Sequence, residues 1–157
     1  RFNIEANRAT DVGIFIDIYN TKSSFIDSSI SNNLIRPNIA PAIKMESVLN
    51  VRNLIISNNS IYWATDTYDN PTQYAVDVKF ERASGLIFKD NLLDARSNNA
   101  TTGINGFKVK GGGHLYGMIL KDNIVSQIRK SAGRVAFDFN DPNNEILVSD
   151  NLSVREV

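Results

Sequence analysis

The sequence predicts an all-β fold, a right-handed parallel β-helix of about five coils stiffened by an asparagine ladder. Two observations carry this. Short segments containing a shared Asn recur at spacings of 26, 32, 32 and 28 residues, and each follows a stretch in which apolar and polar residues alternate. The composition agrees, because the chain holds 20 asparagines and Asn is poor in helix interiors but favoured in turns.

The elements follow in order. The Asn segments are SISNNLI at 29–35, IISNNSI at 55–61, IFKDNLL at 87–93, ILKDNIV at 119–125 and LVSDNLS at 147–153. They align on Asn33, Asn59, Asn91, Asn123 and Asn151. Three residues before each stands an apolar residue: Ile30, Ile56, Phe88, Leu120 and Val148. Immediately before each stands Asn32, Asn58, Asp90, Asp122 or Asp150. About 15 residues upstream lie the alternating stretches: Ile14, Ile16 and Ile18; Ile43 and Met45; Val76, Val78 and Phe80; Phe107 and Val109; Val135, Phe137 and Phe139. A period of two with polar partners describes a strand with one wet face. Each repeat therefore reads as strand, turn, second strand ending at Asn, and a loop of variable length. Helical repeats need apolar residues at i, i+3, i+4 and i+7 over ten or more positions. Here the apolar runs are short and end at Asn, Gly or Pro.

Strands repeating at this interval stack as coils, each hydrogen-bonded to the next at about 4.8 Å, and parallel crossovers are right-handed in about 98% of cases. The shared Asn then stacks on itself. An amide carries two donors and an acceptor, so an inward stack of them pairs with itself and with turn backbone.

Composition closes off several function classes. There are 17 Lys+Arg against 17 Asp+Glu, so the basic excess that drives non-specific nucleic-acid binding is missing. No cysteine occurs, which excludes disulfides, a thiolate nucleophile and Cys-ligated zinc. The single histidine, His114, excludes a site of several imidazoles. No apolar run approaches the roughly 18 residues of a membrane-spanning helix, so membrane insertion is not expected. No metal or cofactor is expected. The chain begins at Arg1 and reads as one domain, 1–157, cut from a longer chain.

The apolar-x-x-Asn-x-apolar motif, as in Ile56-Ser-Asn-Asn59-Ser-Ile61, resembles the right-handed parallel β-helix of pectin-lyase-like proteins over nearly the whole chain. That family includes polysaccharide lyases, glycosidases and the trimeric tailspikes and appendages of bacteriophages. No catalytic motif of the family maps onto this chain residue by residue. The resemblance implies a structural and adhesive segment of a tailspike or appendage on a virion surface or outside a cell. Such a segment assembles as a homotrimer and binds host cell-surface polysaccharide. The alternative is a catalytic polysaccharide lyase or glycoside hydrolase domain of the same fold.

The outward residues give candidates for both readings. The triplets Leu54-Ile55-Ile56, Leu86-Ile87-Phe88, Met118-Ile119-Leu120 and Ile146-Leu147-Val148 place Ile55, Ile87, Ile119 and Leu147 opposite their neighbours. With the outer two of each inward, these four form an outward row. Either parity leaves an apolar row outside, so they or their immediate neighbours are the candidate subunit interface. Leu34, Leu92, Ile124 and Leu152 add a second row just past the Asn. On the first strands, one expected column runs Phe15, Lys44, Asp77, Lys108 and Ala136, and the next runs Asp17, Glu46, Lys79, Lys110 and Asp138. Adjacent opposite charges there serve as cross-coil pairs. Glu46 and Asp77, as diagonal neighbours, are the candidate catalytic carboxylates of a glycosidase, and Lys79, Lys108 or Lys110 the candidate base of a lyase. Loops at 36–41, 62–73, 94–106 and 126–134 lie on one edge, where solenoids commonly build their binding face. Tyr62, Trp63, Tyr68 and Tyr74 are the candidates there for stacking on sugar rings. Gly111-Gly112-Gly113 lacks the Lys-Ser/Thr of a phosphate loop and reads as a tight turn, with His114 beside it.

Overall fold

The structure, a computed structural model, describes residues 1–19, 24–38, 41–62, 69–95, 103–126, 128, 133–139 and 146–153. These form a parallel β-solenoid. One sheet has 10 strands and the other 6, every pairing is parallel, and no helix occurs among the described residues.

The strand-turn-strand expected of each repeat is fused into one bent strand in the coil of Ile43–Ser57, whereas Asp69–Ser84 and Gly103–Tyr116 are long first strands that stop before Gly85 and Gly117, with Ile87–Lys89 and Met118–Lys121 as the separate second strands. Two devices turn the chain at the corners of the coil. The first is a shift of register, between Met45 and Val48 in one coil and between Gly111 and His114 in another. The Gly111–Gly113 run is thus a bulge within a strand, not the expected tight turn. Bulges add a residue to one strand and increase its local bend, which glycine permits at least cost. The second device is a left-handed residue on each coil: Asp27, Asn53, Gly85 and Gly117 have φ of 49, 52, 66 and 60°. Asn53 Nδ2 donates to Asp27 Oδ1 at 3.0 Å, whereas a Cβ on Gly85 would meet the Asn53 side-chain oxygen at 2.7 Å.

Another left-handed corner comes just before the shared Asn. Ala6, Asn32, Asn58, Asp90, Asp122 and Asp150 have φ between 54 and 58°. Asn and Asp tolerate this region better than other side chains, which explains their regular appearance there.

The Asn that follows each corner turns inward, and the ladder fills nearly all of its polar groups. The side-chain NH2 groups of Asn33, Asn59 and Asn91 donate to the Oδ1 of Asn59, Asn91 and Asn123, each at 2.9 Å. Asn123 reaches Asn151 in the same way at 2.8 Å. The same acceptors take the backbone N–H of the preceding rung. Each NH2 also donates to a carbonyl of the previous coil, Ile30 for Asn59 and Ile56 for Asn91, at 3.0 Å. From Asn33 to Asn151 the chain makes about four turns. The expected count of about five is approached only because Asn7 forms a further rung, its N–H and NH2 both donating to Asn33 Oδ1 at 3.1 Å.

Inside the coils the alternating residues stack in columns. Ile43, Val76 and Phe107 are in register and fully buried, as are Ile56 and Phe88 and, on the second sheet, Ile61 and Leu93. Phe88 packs edge-on to Phe107, with centroids 5.5 Å apart. Gly106 is required by packing, since a Cβ there would run into the Ala136 carbonyl of the next coil.

Asn91→Leu removes four hydrogen bonds: Asn59 N–H loses its acceptor and the Ile56 carbonyl its Asn91 donor, while Asn59 Nδ2 keeps only the Ile30 carbonyl and Asn123 Oδ1 keeps only the backbone N–H of residue 91. At about 1–3 kcal/mol for each buried group left unpaired, the variant is expected to lose at least ~2 kcal/mol in urea unfolding. Asp90→Gly, at the exposed corner beside it, is expected to change stability by less than ~1 kcal/mol, because glycine adopts the same φ freely.

Candidate functional site

The first face of the solenoid comprises 16–19, 43–46, 76–79, 107–110 and 137–139. Its outward column runs Asp17, Lys44, Asp77, Lys108 and Asp138. This corrects the expected register at both ends, where Asp17 and Asp138 replace Phe15 and Ala136. Alternation fixes which side of the sheet a residue faces, but a slip of two residues preserves that parity. The observed register gives strict alternation of charge along the column.

The pairing is more specific than neighbourhood. Lys108 Nζ lies 3.4 Å from Asp77 Oδ2, and Lys110 Nζ lies 2.9 Å from Asp138 Oδ2. Lys44 pairs within its own strand, 3.1 Å from Glu46 Oε2. The Glu46 carboxylate accepts from the Lys44 ammonium and raises its pKa. Tyr74 crosses the coil of Lys108: the ammonium lies 5.2 Å from its ring centroid, and its hydroxyl donates to Asp138 Oδ2 at 3.2 Å. Burial, with the neighbouring Asp138 carboxylate, pushes the Tyr74 hydroxyl up to about 12.

These side chains surround a pocket of about 240 Å³. Glu46, Asp77 and Tyr74, three of the residues singled out from the sequence, line it together with Lys44, Lys79 and Lys108. Gln73 and Pro41, which the sequence did not single out, complete its edge; both immediately precede first-face strand segments. Glu46 stands diagonal to Asp77, since Lys44 is the residue opposite Asp77. The lining mixes cations, carboxylates and one aromatic ring, a chemistry suited to the hydroxyls and ring faces of a saccharide. Among the described residues, no three His, Asp or Glu side chains gather as a set of metal ligands.

The other candidates lie elsewhere. Tyr62 is exposed on the second sheet, opposite Asp94, and does not line the pocket. Trp63 and Tyr68 lie outside the described residues. His114 is in register with Arg82, and its side chain also lies outside the described set.

The outward row is one column: Ser29, Ile55, Ile87, Ile119 and Leu147 are consecutive partners. Ile55 and Leu147 are 38% and 55% exposed, while Ile87 and Ile119 are half-buried. Leu34, Leu92, Ile124 and Leu152 form a second column interrupted by Ser60. The two columns do not merge. Ion pairs run along the corner between them, Lys89 with Asp90 at 3.5 Å and Lys121 with Asp122 at 3.7 Å.

Comparison with family models, with curated proteins and with solved structures gives no match. The fold and the pocket therefore carry the functional reading.

Tyr74 gives the first face a pH signature. A hydroxyl whose folded pKa is raised from 10.0 to about 12 holds its proton more tightly in the folded state. Its contribution to stability is therefore complete below pH 10 and is lost as the pH rises towards 12. Urea unfolding across this window is expected to show a steeper loss of stability in the wild type than in Tyr74→Phe.

Proposed function

We propose that this chain is a structural and adhesive β-solenoid, a segment of a tailspike-like appendage on a virion surface or outside a cell. In this reading it assembles as a homotrimer and meets host cell-surface polysaccharide with its first face. The observation that carries the preference for binding over cleavage is the pairing of the two candidate carboxylates. Glu46 is held by Lys44 at 3.1 Å and Asp77 by Lys108 at 3.4 Å. A general acid must carry a proton, and a general base must offer a free lone pair to water. Carboxylates engaged by ammonium groups are poorly placed for either role. The same pairs, with Tyr74 beside them, make a polar surface able to exchange hydrogen bonds with a glycan.

The apolar column of Ile55, Ile87, Ile119 and Leu147 supports the assembly. It runs over four coils, and long apolar strips are rarely left to water. A face repeated identically on each subunit is buried by closed cyclic symmetry.

Analytical ultracentrifugation with and without bacterial capsular polysaccharide tests both parts. The expected result is a trimer that co-sediments with at least one polymer and releases no reducing ends or unsaturated sugars. Ile87→Asp combined with Ile119→Asp is expected to give monomers. Product formation abolished by Glu46→Gln or Asp77→Asn would establish the lyase or hydrolase alternative. A monomeric wild type would remove the assembly.

A further inference from the structure

A second depression lies on a different face, made by residues 50–52, 82–84 and 114–116. Its volume is about 280 Å³, at the lower edge of small-molecule sites, which run from about 300 Å³ upward; that is room for one ring, not a polymer. Val51 and Ala83 turn into the core at 1% and 3% exposure, so their neighbours on either side point outward. Asn50 pairs with Arg82, and Arg52 with Ser84, which pairs in turn with Tyr116. Arg52 and Arg82 are therefore diagonal neighbours on adjacent coils, with Cα atoms about 7–8 Å apart. Both are exposed, and long enough to converge on a single group between them.

The charge is one-sided. Arg52 and Arg82 line the depression and no carboxylate does; Glu81, the nearest in sequence, is not part of the lining. Among the described residues neither arginine has an ion-pair partner. This contrasts with the first face, where Lys44 and Lys108 beside the pocket meet Glu46 and Asp77. Guanidinium groups match planar or tetrahedral oxyanions through paired N–H donors. Tyr116, 54% exposed, forms one wall and offers an aromatic face, while Asn50 and Ser84 supply donors and acceptors suited to hydroxyls.

We propose that this depression binds an anionic sugar, an oxyanion (carboxylate or phosphate) carried on a pyranose ring. Arg52 and Arg82 hold the anion, the Tyr116 ring packs on the sugar face, and Asn50 and Ser84 meet ring hydroxyls. The site stands independently of the first-face reading, because it shares no residue with that pocket.

The test is calorimetric titration of the whole chain at low salt with glucuronate, glucose 6-phosphate, glucose and inorganic phosphate. Glucuronate or glucose 6-phosphate is expected to bind more tightly than either glucose or inorganic phosphate, and the better of the two identifies the anion. Arg52→Gln and Arg82→Gln are each expected to weaken it about tenfold or more, the loss of a charge-assisted contact. Tyr116→Ala is expected to weaken the sugar anion while leaving inorganic phosphate unchanged. All three side chains are exposed, so unchanged melting curves are expected for the variants, and Tyr74→Phe serves as a first-face control that leaves this binding intact. The proposal is overturned if no anionic sugar binds, if glucose binds equally well, if inorganic phosphate alone matches the sugar anion, or if the arginine variants bind as the wild type does.

Discussion

A solenoid has no closed core of its own; each coil is held only by the coils beside it, so something must fix where one coil sits on the next. In this chain that constraint is the buried asparagine amide. A carboxamide can donate forward to the next rung and backward to a carbonyl of the previous coil while accepting two hydrogen bonds on one oxygen. Asn59 and Asn91 do all of this. No isosteric residue can: a carboxylate has no donors and leucine has neither group. A shift of the ladder by one residue would bring an outward residue into the interior and orphan the amides, so pairing and register are the same constraint.

With the backbone fixed in this way, outward positions are released from folding duty and can carry chemistry. The sides of the solenoid use that freedom differently. The first face alternates acid and base, and its charges largely satisfy one another. The face carrying Arg52 and Arg82 pairs neither cation with a carboxylate among the described residues. The face carrying Ile55, Ile87, Ile119 and Leu147 leaves apolar surface in a line, bounded by the Lys89–Asp90 and Lys121–Asp122 pairs. A ladder that holds adjacent coils at a constant spacing turns one residue per repeat into a column, so a preference repeated at low frequency in the sequence becomes a continuous surface.

The ladder was legible because its geometry demands two residues together, an αL-tolerant Asn or Asp and then the inward Asn. Asn7 escaped notice because Ala6 stands where the other corners have Asn or Asp, although Ile4-x-x-Asn7-x-Ala9 keeps the same spacing and lies 26 residues before Asn33. In the apolar triplets period two fixes only that the middle residue faces away from the outer two, and it is the structure that turns Leu54, Ile56, Leu86 and Phe88 inward. What period two leaves open is a slip by two residues, and the end coils of the first face differ from expectation in that way. Glu46 and Asp77 could be placed as diagonal neighbours because their alternating stretches stand at nearly the same distance before Asn59 and Asn91, whereas Tyr74 was expected among the loop aromatics and joins them only through the observed pocket. The arginine depression could not, because 47–53 reads as a turn until the bulge after Met45 is seen to carry the strand onward.

The ladder's role as the register-setting constraint is most directly tested by hydrogen exchange of its own amide protons. NMR measurement of the side-chain NH2 and backbone N–H of Asn59, Asn91 and Asn123 is expected to show exchange only through global unfolding, with protection that tracks the unfolding free energy as urea is added. Side-chain amide protons at these three positions that exchange as fast as those of an exposed asparagine, in a protein that remains folded, would contradict the account.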